Sequence, residues 1–245
     1  MLPCLVLLGS VNGLAQMTSD DALSEFVTAG MAYKEGRYDA AIERYNAILK
    51  GDRVSGPLYY NLANSYYKKK NVGQAVLNYE RAKKFIPRDS DLNFNEHYVR
   101  SRIDQQTDVK QSFLDNAIAG HIQFYTIDEM TIILFCIALL IGAIHLIALY
   151  VQWPQTVTSG IIAALIFGLF IYSTGIVAKV QAERDLAVVM TDSKTLFEPR
   201  TDSTVHFKLS EGMKARILKR QGHWFKIERL DGKVGWIDGE VLEKI

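Results

Sequence analysis

Residues 25–50, EFVTAGMAYKEGRYDAAIERYNAILK, and residues 59–84, YYNLANSYYKKKNVGQAVLNYERAKK, set down one pattern twice, offset by 34 positions. Ala29, Tyr33, Ala41 and Tyr45 return as Ala63, Tyr67, Ala75 and Tyr79, and Gly36-Arg37-Tyr38 is answered by Lys70-Asn71-Val72. A fixed period of this length, with small residues where two helices cross and aromatics between them, predicts a recurring helix–turn–helix unit. Such a unit cannot bury its apolar face alone, so its surfaces are covered by neighbours or by ligands. The pattern points to binding another protein and away from chemistry.

From Asp21 to Lys50 the apolar spacing is helical and is broken at Lys34-Glu35-Gly36-Arg37, which suits a tight turn between antiparallel helices. A second pair over Leu58 to Phe85 ends at Pro87, which cannot continue a helix. Tyr59, Leu62, Ala63, Tyr66, Ala75, Tyr79, Ala82 and Pro87 occupy the favoured positions of a tetratricopeptide repeat, which this region resembles. The first copy lacks the closing proline and has Thr28 where the second has Leu62. An all-α domain is therefore expected over 21–103, with repeats at 22–55 and 56–89. The stretch Asp91–Ile103 adds a capping helix or the first helix of a third repeat. On the inner face Phe26, Gly30, Tyr33 and Lys34 are expected to line up with Tyr60, Asn61, Asn64, Tyr67 and Lys68. Aromatics and amides so placed grip an extended peptide or a helix; alternatively some of them only pack the superhelix. Of the positions that clamp a terminal carboxylate in such repeats, only Asn61 matches. Lys68-Lys69-Lys70 is read as a solvated turn.

Upstream, residues 1–16, MLPCLVLLGSVNGLAQ, hold a short apolar core and an acceptable cleavage site at Gly13-Leu14-Ala15. This is expected to be a signal peptide, too short to span a bilayer; the alternative is an unstructured or mis-started N-terminus. No Lys or Arg precedes the core, and no Cys follows it to support a lipoprotein. Downstream, 104–127 is a polar linker leading to an interfacial segment. Met130–Val151 then carries no Asp, Glu, Lys or Arg, and neither does Val157–Ala178. A bilayer core about 30 Å thick needs about 20 apolar residues in a helix, so these predict a two-helix transmembrane hairpin. Tyr150 and Trp153 suit an interfacial aromatic belt. A hairpin leaves both flanks on one side. The signal places that side outside the cytoplasm, whereas Lys179, Arg184 and Lys194 vote weakly for the inside; the signal is given more weight.

The last sixty residues change character. Ala187–Met190, Thr195–Glu198, Ala215–Arg220, Trp224–Arg229 and Val234–Ile237 are β-rich and separated by Glu211-Gly212, Gln221-Gly222 and Asp231-Gly232. Asp-Gly between alternating strands is a strong hairpin signal, and five or more short strands suggest a small all-β barrel. Gly222-His223-Trp224 and Gly235-Trp236-Ile237 resemble the closing motifs of bacterial SH3 domains, over 186–245. Trp224 and Trp236 are read as core before ligand contacts, while Phe197, Phe207 and Phe225 are candidates for an aromatic groove.

With formal net charge +1, no broad attraction to nucleic acid is implied. The two cysteines, Cys4 and Cys136, give no disulfide framework. The five histidines (His97, His121, His145, His206 and His223) have no metal-ligand spacing, and phosphate loops and nucleophile elbows are missing, so neither an enzyme nor a cofactor is expected. His145 is the one ionisable group within a span. It shares a face with Ala138 and Gly142, and Gly160, Ala164 and Gly168 form a small-residue stripe in the second span that lets helices approach closely. His145 is expected to hydrogen-bond across the hairpin, to Ser173 or Thr174.

The order of parts (signal, two repeats, hairpin, SH3-like domain) resembles the BatE family of the bacterial aerotolerance (Bat) operon. That resemblance implies an exported inner-membrane component linked to oxidative-stress tolerance, with both soluble domains periplasmic. It also implies membrane partners carrying von Willebrand factor A domains. The expected function is a non-enzymatic membrane adaptor; the alternative is a peptidoglycan-binding anchor or sensor acting through the SH3-like domain.

Overall fold

A computed structural model describes residues 18–51, 53–103, 120 and 124–245. The expected signal peptide and most of the 104–127 linker lie outside these residues. The chain forms two compact units that divide between Val54 and Ser55.

The first unit is a helical hairpin, α1 (Ser19–Lys34) and α2 (Tyr38–Lys50). Thr18 and Asp21 cap each other's backbone at the start of α1. Gly36, at φ +76°, turns the chain between the helices. Ala29, Ala32, Ala41, Tyr45 and Ile48 are buried between them, so the small and aromatic positions of the repeat pattern form the hairpin core. Burial pushes the Tyr45 phenol up to about 12.

The second unit begins with α3 (Gly56–Lys68), α4 (Val72–Lys83) and α5 (Ser90–Arg100). Ser55, Asn71 and Asp89 each cap a helix by accepting from a first-turn amide, at 3.3, 3.1 and 2.8 Å. Two long helices follow, α6 (Ile127–Val151) and α7 (Gln155–Arg184). Both are long and apolar enough to cross a membrane. The turn between them is shorter than the sequence suggests: Gln152 in the left-handed region, Trp153 and Pro154. Helix α7 continues past Ala178 to Arg184, and the sheet starts at Leu186.

Seven antiparallel strands make one sheet: β1 (Leu186–Val189), β2 (Ser193–Leu196), β3 (Val205–Leu209), β4 (Lys214–Gln221), β5 (Trp224–Arg229), β6 (Val234–Asp238) and β7 (Leu242–Lys244). Their order is β3-β2-β6-β5-β4-β1-β7. Strands β3 and β7 were not among those anticipated. Gly235 sits where an added Cβ would be 2.8 Å from Thr195, so the close pass of β6 over β2 requires glycine beside the buried Trp236.

The helices and the sheet of this unit share one core. Ala63, Ala75, Val76, Tyr79, Leu92 and Val99 are buried in the same cluster as Val188, Val189, Leu209, Ala215, Ile227 and Ile237. Helix α4 lies against β1 and the β3–β4 turn. A Cβ at Gly73 would come within 3.0 Å of Met190 backbone, and one at Gly212 within 2.7 Å of Ile103. Glu211 accepts from the Gly73 amide at 2.7 Å, placing a carboxylate at the positive end of α4. Lys214 and Glu80 pair at 2.8 Å with side chains only 14% and 11% exposed.

The expected packing of the apolar hairpin is corrected. Ala138, Gly142, Gly160, Ala164 and Gly168 are exposed, and a Cβ added at any of the three glycines would meet nothing within 4 Å. The less exposed faces carry Ile133, Leu134, Ile137, Ile141 and Ile144 on α6, and Ile162, Leu165 and Leu169 on α7. Toward the turn the buried positions are Ala148 on α6 and Thr158 on α7. His145 is exposed on the outer side. The Ser173 and Thr174 hydroxyls donate to Phe170 and Ile171 carbonyls of their own helix, at 2.8 and 2.6 Å. The expected bond across the hairpin is therefore not made.

Candidate binding surfaces

Two sets of residues were singled out as partner contacts on the helical hairpins. On the first hairpin, Phe26 meets Tyr45 at a tilt with ring centres 5.7 Å apart, and Tyr33 meets Tyr38 edge-on at 5.4 Å. Both rings are half-buried and belong in part to the hairpin's own packing.

On the second hairpin, α5 closes over most of the proposed face. Asn95 on α5 donates to Tyr60 Oη at 2.8 Å and to Asn64 Oδ1 at 3.2 Å. Asn64 Oδ1 also accepts from Tyr79 Oη at 2.6 Å. Tyr67 meets Tyr98 of α5 edge-on at 6.1 Å, and burial raises the Tyr67 phenol above its ordinary value. Tyr60, Asn64 and Tyr67 thus bind α5, the stretch expected to act as a cap. Asn61 contributes its backbone carbonyl to Ser65, and Lys68 is exposed at the end of α3. These two keep the character of an open contact. Asn95 was missed in the sequence, although its place one helical turn before Val99 and Tyr98 puts it on the inward side of the cap.

On the sheet, an open groove of about 360 Å³ is lined by Asp192, Ser193, Lys194, Leu196, Trp224, Ile237, Asp238 and Val241. Trp224, only 9% exposed, supplies its apolar wall. Asp192 accepts from the Glu211 amide at 2.8 Å and Asp238 from the Glu240 amide at 3.0 Å, so backbone fixes both carboxylates at the rim. Lys194 adds a cation on the same rim. The arrangement suits a ligand with both charged ends and an apolar stem.

The other candidate groove residues lie elsewhere. Phe197 is 56% exposed and stacks on His206 at 4.1 Å, and His206 meets Phe207 at 5.0 Å. His206 Nδ1 lies 3.0 Å from the Val234 carbonyl. Trp236 is buried and pairs across from Leu196 and Lys226. The structure therefore separates the four: Trp224 lines the groove, Phe197 and Phe207 form an aromatic edge with His206, and Trp236 is core. Asp192 and Asp238 gave no motif, since only the fold of the strand ends brings them together.

A hydrogen bond from Arg229 holds the Asp231 carboxyl down at about 2 and fixes the Asp-Gly turn between β5 and β6. Among the described residues no cluster of three or more His, Cys, Asp or Glu side chains could hold a metal ion.

No curated protein matches the chain. Residues 197–243, from just after β2 into β7, match the bacterial SH3 domain, so the C-terminal sheet is similar to that domain, and β1, which packs on α4, and β2 lie outside the match.

Proposed function

We propose that this chain is a non-enzymatic, membrane-anchored adaptor whose helical hairpins, of tetratricopeptide type, and SH3-like sheet hold partner proteins at a bacterial inner membrane. One observation carries the reading. Residues before the apolar hairpin (α3–α5) and residues after it (the sheet) are buried in one core. They must stand on the same side of any bilayer that α6 and α7 cross, as a single head on a two-helix anchor. The order of parts, similar to the BatE family, supports a periplasmic head, a role in oxidative-stress tolerance, and partners with von Willebrand factor A domains.

The test is co-purification of the full chain with such a partner from its own operon, out of detergent-solubilised membranes. The complex is expected to survive solubilisation and to weaken when Asn61→Ala is combined with Lys68→Glu, with helical circular dichroism unchanged. Absence of any complex would overturn the adaptor reading, while an undiminished complex in the variant would move the contact away from α3. A compartment reporter after Ile245 tests the side of the membrane.

The groove beside Trp224 favours a second reading, an anchor or sensor that binds peptidoglycan through charged stem peptides. Retention of the full chain on purified wall material, lost on changing Asp192 and Asp238 together to Ala, would support it. The full chain is needed because α4 completes the core of the sheet.

A further inference from the structure

The loop between α4 and α5 (Phe85 to Asp89) is tied to the start of the first apolar helix. Arg88 makes two hydrogen bonds to Glu129, at 3.1 and 2.5 Å, and a third to the Phe124 carbonyl at 3.4 Å. Its guanidinium lies 5.2 Å from the Phe124 ring centre and 5.8 Å from that of Tyr125. Lys179, where the apolar run of α7 ends, donates to the Tyr125 carbonyl and lies 3.7 Å from Glu183. Glu129, Tyr125 and Lys179 thus mark one level, the rim where the charge-free stretch of α6 begins and that of α7 ends.

The two segments that the Arg88–Glu129 pair joins each carry a large exposed ring. Phe85 is 44% exposed and stacks on Tyr59 with centres 6.0 Å apart; Phe124 is 51% exposed and meets Tyr125 at 5.1 Å. We propose that Phe85 and Phe124, carried by the two segments that the Arg88–Glu129 pair ties together, form an aromatic anchor that seats the head on the lipid headgroup layer. This inference rests on the reading that α6 and α7 span a bilayer.

The occupant follows from continuity. Phe124 stands a few residues before the charge-free run that begins at Met130, and Arg88 ties the loop carrying Phe85 to the start of that helix, so the neighbouring medium is the headgroup region. Exposed phenyl rings set among polar groups sink their apolar faces shallowly into that layer. The two rim cations among the described residues are paired: Arg88 with Glu129, and Lys179 with the Tyr125 carbonyl and near Glu183. The anchor is therefore built for the interface of a zwitterionic membrane and does not depend on anionic lipid.

The test places nitroxide labels in the full chain, with Cys4 and Cys136 changed to Ala, reconstituted in phosphatidylcholine vesicles. Labels go singly at Phe85→Cys, Phe124→Cys, Phe94→Cys and Leu139→Cys. Phe94 on α5 (72% exposed) is the aqueous reference, and Leu139 within α6 (59% exposed) is the lipid reference. Collision with dissolved oxygen and with a water-soluble nickel chelate is measured at each. Positions 85 and 124 are expected to be several-fold less accessible to nickel than 94, and to favour oxygen less than 139 does. If both match 94 while 139 remains lipid-exposed, the anchor is overturned and the spanning helices stand. If 139 is also open to nickel, the spanning reading falls and the anchor with it. Shielding of 85 and 124 from both reagents would mean that protein covers them, which also overturns the proposal. The second probe guards against disturbed packing at Phe85, because the Phe124 ring meets Tyr125 and Arg88, outside the shared core.

Discussion

Gly212 and Gly232 have nearly the same backbone, at φ +83° and +84°, but different surroundings. A Cβ at Gly232 would meet nothing within 4 Å, whereas at Gly212 it would strike Ile103 at 2.7 Å and Val72 at 3.0 Å. Gly232→Ala is therefore expected to cost only the left-handed backbone penalty, about 1–2 kcal/mol. Gly212→Ala adds overpacking of about 1–3 kcal/mol. Urea titration of the two variants measures the difference; equal losses would mean that Gly212 does not abut the helices. The Glu80–Lys214 pair gives a second residue-scale test. Burial alone would raise the Glu80 carboxyl, but Lys214, Lys83 and Arg100 outweigh it and hold it below the ordinary value. A depressed carboxyl contributes stability that is full above the unfolded value of about 4.3 and is lost as pH falls through the folded one. Lys214→Met removes the hydrogen-bonded counter-charge, leaving only Lys83 and Arg100, and is expected to cost about 3 kcal/mol. It also moves the onset of acid unfolding to higher pH. Changing Glu80 to Leu together with Lys214→Met should recover most of the loss, and thermal melts from neutral pH downward decide both points.

At the scale of elements, the sequence was legible where periodicity and caps agree. The turns at Gly36 and Lys70-Asn71, the end of α4 before Pro87 and three of the sheet's hairpin turns all stand where local chemistry put them. Strand β3 was missed although VHFKL, Val205 to Leu209, alternates apolar and polar residues with the period of a half-buried strand; it pairs with β2. The face of the apolar hairpin was misjudged for a different reason. In a helix that is apolar all round, sequence does not distinguish the side that meets protein from the side that meets lipid. Small residues mark contact only where backbones come close. The candidate contacts Tyr60, Asn64 and Tyr67 were recognised as inward-facing, but sequence could not show that α5 supplies their partner. The hairpin correction is testable. Gly142→Leu and Gly160→Leu are expected to leave the thermal stability of the detergent-solubilised protein unchanged. Ile141→Ala should lower it by about 1 kcal/mol, less than in an aqueous core because lipid replaces part of the lost contact. The opposite ranking would restore the small-residue face.

At the scale of the molecule, the order along the chain suggests modules on a string, whereas burial in the second unit joins α3–α5 and the sheet into one body. A sheet with β1 and β7 at one edge would expose Val188, Val189 and Ala215 if α4 were removed; with α4 in place all three are fully buried. Both apolar helices lie between α5 and the sheet along the chain, so this core joins segments on either side of them. Loss of a side chain deep in the sheet should then be felt by the helices. Ile227→Ala on β5 is expected to lower stability by about 2–5 kcal/mol. If the core opens as one cooperative unit, amides of α4 lose hydrogen-exchange protection by the same free energy as amides of β5. The measurement is native-state exchange of the full chain in detergent or nanodiscs, read by mass spectrometry on peptides covering Val72–Lys83 and Trp224–Arg229. Matched losses would mean that a ligand bound at the Trp224 groove also stiffens the helices facing a partner, because both surfaces draw on one opening equilibrium. Protection lost in β5 alone would separate the sheet from the helices energetically, and the groove and the helical face would then act independently.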